Sequence, residues 1–162
     1  MVQFDNSVDR YLNFKFLEPG DLSDRELRLI LSAKCPADPS KNYVPCYMFK
    51  MCVGDSAELA GHIDMRVGIT HDLVMYGGHI GYGVEPKHRG QHYAARALKL
   101  LLPLGRAHEL TELWITCVTE NIASRRTCEL AGAKFVEIVE VPEHTDMYQE
   151  GERQKCRYRL KL

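Results

Sequence analysis

The stretch GYGVEPKHRGQHYAARALKLLL, Gly81 to Leu102, decides the fold. It opens as a glycine-studded apolar run, stops at Pro86, and passes through Lys87-His88-Arg89-Gly90-Gln91-His92. From Tyr93 it turns into an Ala/Leu-rich pattern with helical periodicity. A strand therefore hands over to a helix through a basic, glycine-containing loop. The first turn of a helix presents unpaired backbone N–H groups and the positive end of the helix dipole. With Arg89 and a close-approach Gly90 leading into it, such a junction suits a phosphate or pyrophosphate. Lys87, His88 and His92 add positive charge nearby, and a plain solvated basic turn is the competing reading. The GxxxxGK[ST] of a P-loop is absent, and Gly81-Tyr82-Gly83-Val84 does not make a GxGxxG fingerprint. Nucleoside triphosphates and dinucleotides are thus poor candidates.

Working outward, the helical pattern runs from Tyr93 to Leu110, with Pro103 inside it predicted to kink or split the helix. Leu113 to Val118 (LWITCV) is a continuous apolar run, as expected of a strand buried on both faces. Asn121 to Ala131 reads as a helix capped by Asn121 and stopped by Gly132. At 100° per residue Asn121, Ser124 and Cys128 share one stripe of that helix, a line of small polar groups able to bond an extended ligand. The plainer alternative is that Asn121 is only a cap. Phe135 to Val141 and Cys156 to Leu162 are predicted strands, with a polar loop between them. Upstream, Tyr11 to Leu17 alternates like a strand, and Arg25 to Ala33 reads as a short helix capped by Ser23 or Asp24. Strands over Cys46 to Val53 and Ala60 to Val67 are joined by a turn at Gly54-Asp55-Ser56, and another covers His79 to Val84. An antiparallel meander followed by strand-helix-strand-helix implies a mixed α/β (α+β) sheet in one domain spanning 1–162.

Composition narrows the function. The chain has 162 residues, 45% apolar and 27% charged, with a formal net charge of -1. No basic field recruits nucleic acid or an anionic membrane, and no apolar run approaches membrane-spanning length. The chain reads as cytoplasmic. Its six cysteines form no CxxC pair and sit in apolar or helical surroundings, so they read as small core hydrophobes in a reducing compartment rather than disulfides. A zinc site from Cys46, Cys52 and His62 has no usual ligand spacing. No metal is expected.

Two segments together resemble the GCN5-related N-acetyltransferase (GNAT) superfamily. Its signature Q/R-x-x-G-x-G/A follows a strand and opens a helix; Arg89-Gly90-Gln91-His92-Tyr93-Ala94 supplies its first and last positions, with His92 at the middle glycine. The segment NIASRRTCELAGAKF, from Asn121, is similar to its second motif, and Ile80 to Pro86 resembles the strand before the loop. The resemblance covers about Leu59 to Val136, within a bacterial branch of predicted acetyltransferases without an assigned substrate. It implies a mostly antiparallel, twisted sheet with a central splay, flanked by helices. It also implies acetyl-CoA as co-substrate, its pyrophosphate held by backbone N–H groups from Arg89 to Ala94. The pantetheine arm would lie between the strands His79–Val84 and Leu113–Val118, touched by Asn121 and Ser124, with Gly81 and Gly83 leaving room.

The implied reaction is attack of a primary amine on the thioester. An amine of pKa about 10 arrives protonated and must lose a proton. The resemblance places the oxyanion donor at a strand N–H near Tyr82 or Val84. The family's tyrosine acid falls on Cys128, whose thiol either protonates the leaving group or is packed and inert. The family's glutamate base falls on Gly78; neighbouring His79 is the best replacement, with His62 and Asp64 as rivals. The acceptor is a small-molecule amine, an amino acid or a protein N-terminus, and a homodimer is one possible assembly. The alternative is an acetyl-CoA-binding or sensing module with little or no catalysis.

Overall fold

The computed structural model describes residues 4–162. Five strands, β1 (Ser23–Asp24), β2 (Leu27–Cys35), β3 (Cys46–Val53), β4 (Glu58–Arg66) and β5 (Ile80–Val84), form one antiparallel sheet in chain order. Three more, β6 (Glu112–Val118), β7 (Lys134–Glu140) and β8 (Gln154–Lys161), form a second sheet in the order β6-β8-β7. Between β5 and β6 stands α1 (Tyr93–Ala107), and α2 (Ile122–Leu130) joins β6 to β7. The short helix α3 (Asp146–Gln149) lies in the last loop. This is the mixed α+β architecture expected, with the splay expressed as a break between two sheets.

One core serves both sheets. Ala97, Leu98 and Leu101 of α1 are fully buried with Met65 of β4, Ile80 of β5 and Leu113 of β6. Burying a leucine side chain such as Leu98 or Leu101 stabilises the fold by about 2 kcal/mol. That burial ties α1 to the strands on either side of the break. Arg96 adds a polar tie, donating to Asp24 Oδ2 at 2.7 Å and to Glu26 Oε1 at 2.8 Å.

Three expectations are corrected. Arg25 to Ala33 is not helical: Leu27 and Leu29 are buried while Arg28 and Ile30 are exposed, a period of two that makes this segment β2. Tyr11 to Leu17 joins no sheet; a single 3-10 turn over Asp9–Tyr11 precedes it. Its alternation reflects Phe14 and Phe16 packing edge to face, with Phe16 against Tyr47. Pro103 does not split α1, which runs unbroken from Tyr93 to Ala107. Both Pro103 and Lys99, four residues earlier, are exposed, so the carbonyl that loses its partner can turn to water.

Candidate active site

The loop before α1 is arranged as an anion cradle. Pro86–His88 make one 3-10 turn, Gly90 takes a left-handed φ of 86°, and His92 takes φ 59° and ψ 27° at the position before the helix. The histidine at the signature's middle glycine thus adopts the left-handed conformation a glycine would supply. No side chain caps α1. Among the described residues the first main-chain bond of the helix is Arg96 N–H to the His92 carbonyl, and no protein acceptor meets the N–H groups of Gly90, Gln91, His92, Tyr93, Ala94 or Ala95. Six main-chain donors around the positive end of a fifteen-residue helix are therefore left without a protein acceptor. The loop's side-chain charge is largely committed elsewhere. Lys87 pairs with Glu58, and His88 Nε2 lies 3.5 Å from the same carboxylate. Arg89 Nε donates to the Val84 carbonyl at 3.1 Å.

Beside this cradle the two sheets part, and hydrogen-bond parity shows what their facing edges offer. Glu85 N–H donates to the Ala60 carbonyl and Arg66 N–H to the His79 carbonyl, so the odd-numbered residues of β5 bond β4. Ile80, Tyr82 and Val84 consequently point their N–H and C=O groups away from β4, toward β6. In β6 the bond from Leu162 N–H to the Thr111 carbonyl sets the same parity, odd residues bonding β8, so Trp114, Thr116 and Val118 face β5. The strands stay unpaired along this length. Between them lies a cleft of about 260 Å³ lined by Ile80, Gly81, Tyr82, Thr116, Asn121 and Ser124, among others. An extended chain bearing amides can lie there as a strand would.

The side chains proposed for chemistry divide sharply. His79, expected as base, is 1% exposed, with Nε2 at 2.9 Å from the Gly68 carbonyl and Nδ1 accepting from Trp114 N–H at 2.8 Å. A carbonyl only accepts and an amide N–H only donates, so the ring is the neutral Nε2–H tautomer. Burial pushes its pKa down to about 4. His79 has no free nitrogen for a substrate proton, and the base assignment is corrected. Cys128 is fully buried, and its hydrogen bond with the Cys117 thiol, together with burial, drives its pKa far above the ordinary thiol range. It is packed rather than poised, which corrects the acid assignment.

Tyr82 does reach the cleft. Its hydroxyl is 2.7 Å from Ser124 Oγ and 3.8 Å from Cys128 Sγ, and burial raises its pKa well above 10, so the phenol stays protonated. Asn121 caps α2, its Oδ1 accepting from Ser124 N–H at 3.0 Å, while the residue also lines the cleft. The cap reading of Asn121 holds, and it uses only the amide oxygen, leaving the NH₂ without a partner among the described residues. Gly81 and Gly83 leave less room than expected. A Cβ on Gly81 would stand 3.0 Å from Asp64 Oδ2, and one on Gly83 would stand 2.7 Å from the His62 ring. The room serves neighbours on β4: Asp64 packs over Gly81 and pairs at 3.3 Å with Arg66, which itself lines the cleft.

Four cleft residues had no signal in the sequence: Arg66, Cys117, Glu152 and Lys155. Lys155 is 8% exposed and pairs with Glu152 at 2.5 Å. They come from β4, β6, β8 and the loop before β8, and only the meeting of the two sheets gathers them.

An uncapped helix mouth thus stands beside two strand edges left unpaired along a sheet break. Residues 3–134 match the family described as Acetyltransferase (GNAT) domain. The chain belongs to that family of acetyltransferases. Solved structures agree on the fold. An acetyltransferase of the GNAT family from Bacillus anthracis superposes with TM-score 0.55 at 20% identity, covering 70% of this chain and 65% of its own. The microcin C7 self immunity acetyltransferase in complex with acetyl-CoA and AMP gives 0.56 at 16%, covering 72% and 61%. This chain thus spans under two thirds of those two proteins. A ribosomal L7/L12 alpha-N-protein acetyltransferase in complex with coenzyme A gives 0.63 at 12%, covering 88% and 98%. No curated protein sequence matches the chain.

Proposed function

We propose that the protein transfers an acetyl group from acetyl-CoA to a primary amine by direct attack on the thioester. The observation that carries this reading is the row of unsatisfied N–H groups from Gly90 to Ala95 beside the open edges of β5 and β6. A diphosphate fits the former and a pantetheine arm the latter, so the residues present suit the co-substrate. Acetyl-CoA supplies an activated acyl group, leaving the protein to position it and move protons.

Tyr82 serves this chemistry twice. Its main-chain N–H, unused by β4, is the donor for the oxyanion, with the N–H of Val84 beside it. Its hydroxyl, kept protonated by burial and oriented by Ser124, is a hydrogen-bond donor to the departing thiolate. The conjugate thiol has a pKa of about 8.5, so this donation assists the reaction without being indispensable. Asp64, half enclosed above Gly81 and oriented by Arg66, takes the amine proton through a water. The acceptor is a small amine, an amino acid or a protein N-terminus; the ribosomal-protein acetyltransferase of similar fold supports the last. A second reading, a module that binds acetyl-CoA without transferring the group, draws on the burial of His79 and Cys128.

Two measurements decide. Coenzyme A at 100 times its dissociation constant stabilises the fold by about 2.7 kcal/mol, visible as a raised melting temperature. Release of free thiol from acetyl-CoA in the presence of an amine library then separates transfer from binding. No thermal shift defeats both readings, and a shift without amine-dependent thiol release leaves the binding module.

A further inference from the structure

His79 occupies a place where one job ends and another begins. On its N-terminal side the two sheets touch: Thr116 Oγ1 donates to the Tyr76 carbonyl at 2.7 Å, and Arg157 donates to the Val74 carbonyl at 3.0 Å. Gly78, with φ 73°, passes so close to β6 that a Cβ there would stand 3.1 Å from Thr116 N and from the Trp114 carbonyl. At His79 itself the main-chain N–H donates to the Trp114 carbonyl at 2.6 Å. On its C-terminal side Ile80, Gly81 and Tyr82 already line the cleft.

Two strands brought this close would ordinarily continue pairing, each N–H of β6 finding the next carbonyl of β5. Here the sequence interrupts them. The Trp114 N–H, whose ladder acceptor would be the Gly77 carbonyl, goes to His79 Nδ1 at 2.8 Å instead, so one residue holds both main-chain groups of Trp114. The His79 carbonyl is turned the other way, to Arg66 N–H at 2.8 Å. The ring is in turn held by its own Nε2–H on the Gly68 carbonyl at 2.9 Å, in a site with 1% exposure. His79 thereby satisfies the last paired residue of β6 at both its N–H and its C=O, while its own carbonyl, committed to β4, is withdrawn from the next donor, Thr116 N–H.

We infer that His79 is a positioning residue whose imidazole terminates the β5–β6 ladder and so fixes where the coenzyme A cleft opens. It touches neither co-substrate nor acceptor. Its Nδ1 and main-chain N–H together clamp both main-chain groups of Trp114, so the apex of the cleft stays at this residue with the His79 carbonyl turned to β4, and its Nε2 only anchors the ring. This inference rests on the cleft being the coenzyme A site.

The two ring nitrogens can be tested apart. Asparagine places an oxygen where Nδ1 stands, and glutamine places an NH₂ where Nε2 stands. His79→Asn keeps the acceptor for Trp114 and should bind coenzyme A within about threefold of wild type by calorimetry. His79→Gln keeps the bond to Gly68, loses that acceptor, and should bind about tenfold more weakly, with KM for acetyl-CoA rising and kcat held, using an amine that supports turnover. Each variant loses one hydrogen bond, so a merely structural role would move both alike. Equal affinities in the two variants, or a fall in kcat at unchanged KM, overturn the inference. Ring nitrogen shifts in labelled wild-type protein provide a check independent of folding in the variants. The Nε2–H tautomer should persist on adding coenzyme A, and a change of tautomer or charge overturns the positioning role. Wild-type protein that binds no coenzyme A refutes the proposed function itself, a result distinct from either of these.

Discussion

The hydroxyl of Tyr82 lies 2.7 Å from Oγ of Ser124, joining β5 of the first sheet to α2 of the second half across the inner wall of the cleft. Neither residue could be matched to the other from its place in the chain, since forty-two positions separate them. The pair places a protonated phenol beside the cleft, next to the Cys128 thiol.

Tyr82→Phe removes that proton while keeping the ring and the main-chain donor. The expected result is a kcat lowered about tenfold with little change in KM for acetyl-CoA, modest because a thiolate already leaves readily. A fully active Tyr82→Phe protein would remove the hydroxyl from the mechanism. Steady-state kinetics with saturating amine measures it.

Gly90→Glu tests the helix mouth. The Cβ meets nothing within 4 Å, so bulk is tolerated, and a non-glycine residue at φ 86° costs about 1 kcal/mol. The fold should persist by circular dichroism. The new carboxylate beside six free N–H groups competes with a diphosphate, so coenzyme A should no longer raise the melting temperature. Retained affinity in that variant means the loop does not hold the ligand.

Asp64→Asn preserves shape and the contact with Arg66 but removes the proton acceptor. A general base contributes about 100-fold or more, so kcat/KM should fall by about that factor while coenzyme A affinity stays unchanged. Gly81→Ala acts on the same spot from the other strand. Its methyl would stand 3.0 Å from Asp64 Oδ2 and 3.3 Å from Arg66 Nη2, so it should disturb the pair and reduce activity. Activity unaffected by both changes would exclude Asp64.

Acid stability reports on His79. Its folded-state pKa, about 4, lies below the ordinary value of 6.5, because burial disfavours the charged ring. The unfolded chain therefore binds the proton first as pH falls. Stability from this group is intact above pH 6.5 and is lost progressively down to pH 4, by about 3 kcal/mol in all. Other groups titrate over the same range, so the comparison must be with His79→Asn. Denaturant unfolding at pH 7 and pH 4.5 should show a steeper acid loss for wild type. Parallel slopes would mean the ring is not held neutral.

Much of this molecule was legible along the chain because the signals are local. The loop from Pro86 to His92 and the helix after it are neighbours in sequence, and an N-cap such as Asn121 acts within three residues. Burial on both faces made LWITCV read as a strand, β6, without help from its partners. Where local signals conflicted, tertiary burial decided: Leu27 and Leu29 entered the core on one face of β2, and the helical pattern over the same residues lost.

Chemistry was less legible for the same physical reason. By itself the sequence determined the glycine-bent loop that opens a helix and the family's order of elements, both products of short-range backbone geometry. Only the tertiary structure decided that His79 is enclosed between Gly68 and Trp114, that Cys128 is sealed against Cys117, and that Asp64 looks over Gly81. Whether a titratable group can exchange a proton depends on its desolvation and its partners, and both are supplied by residues far away in the chain.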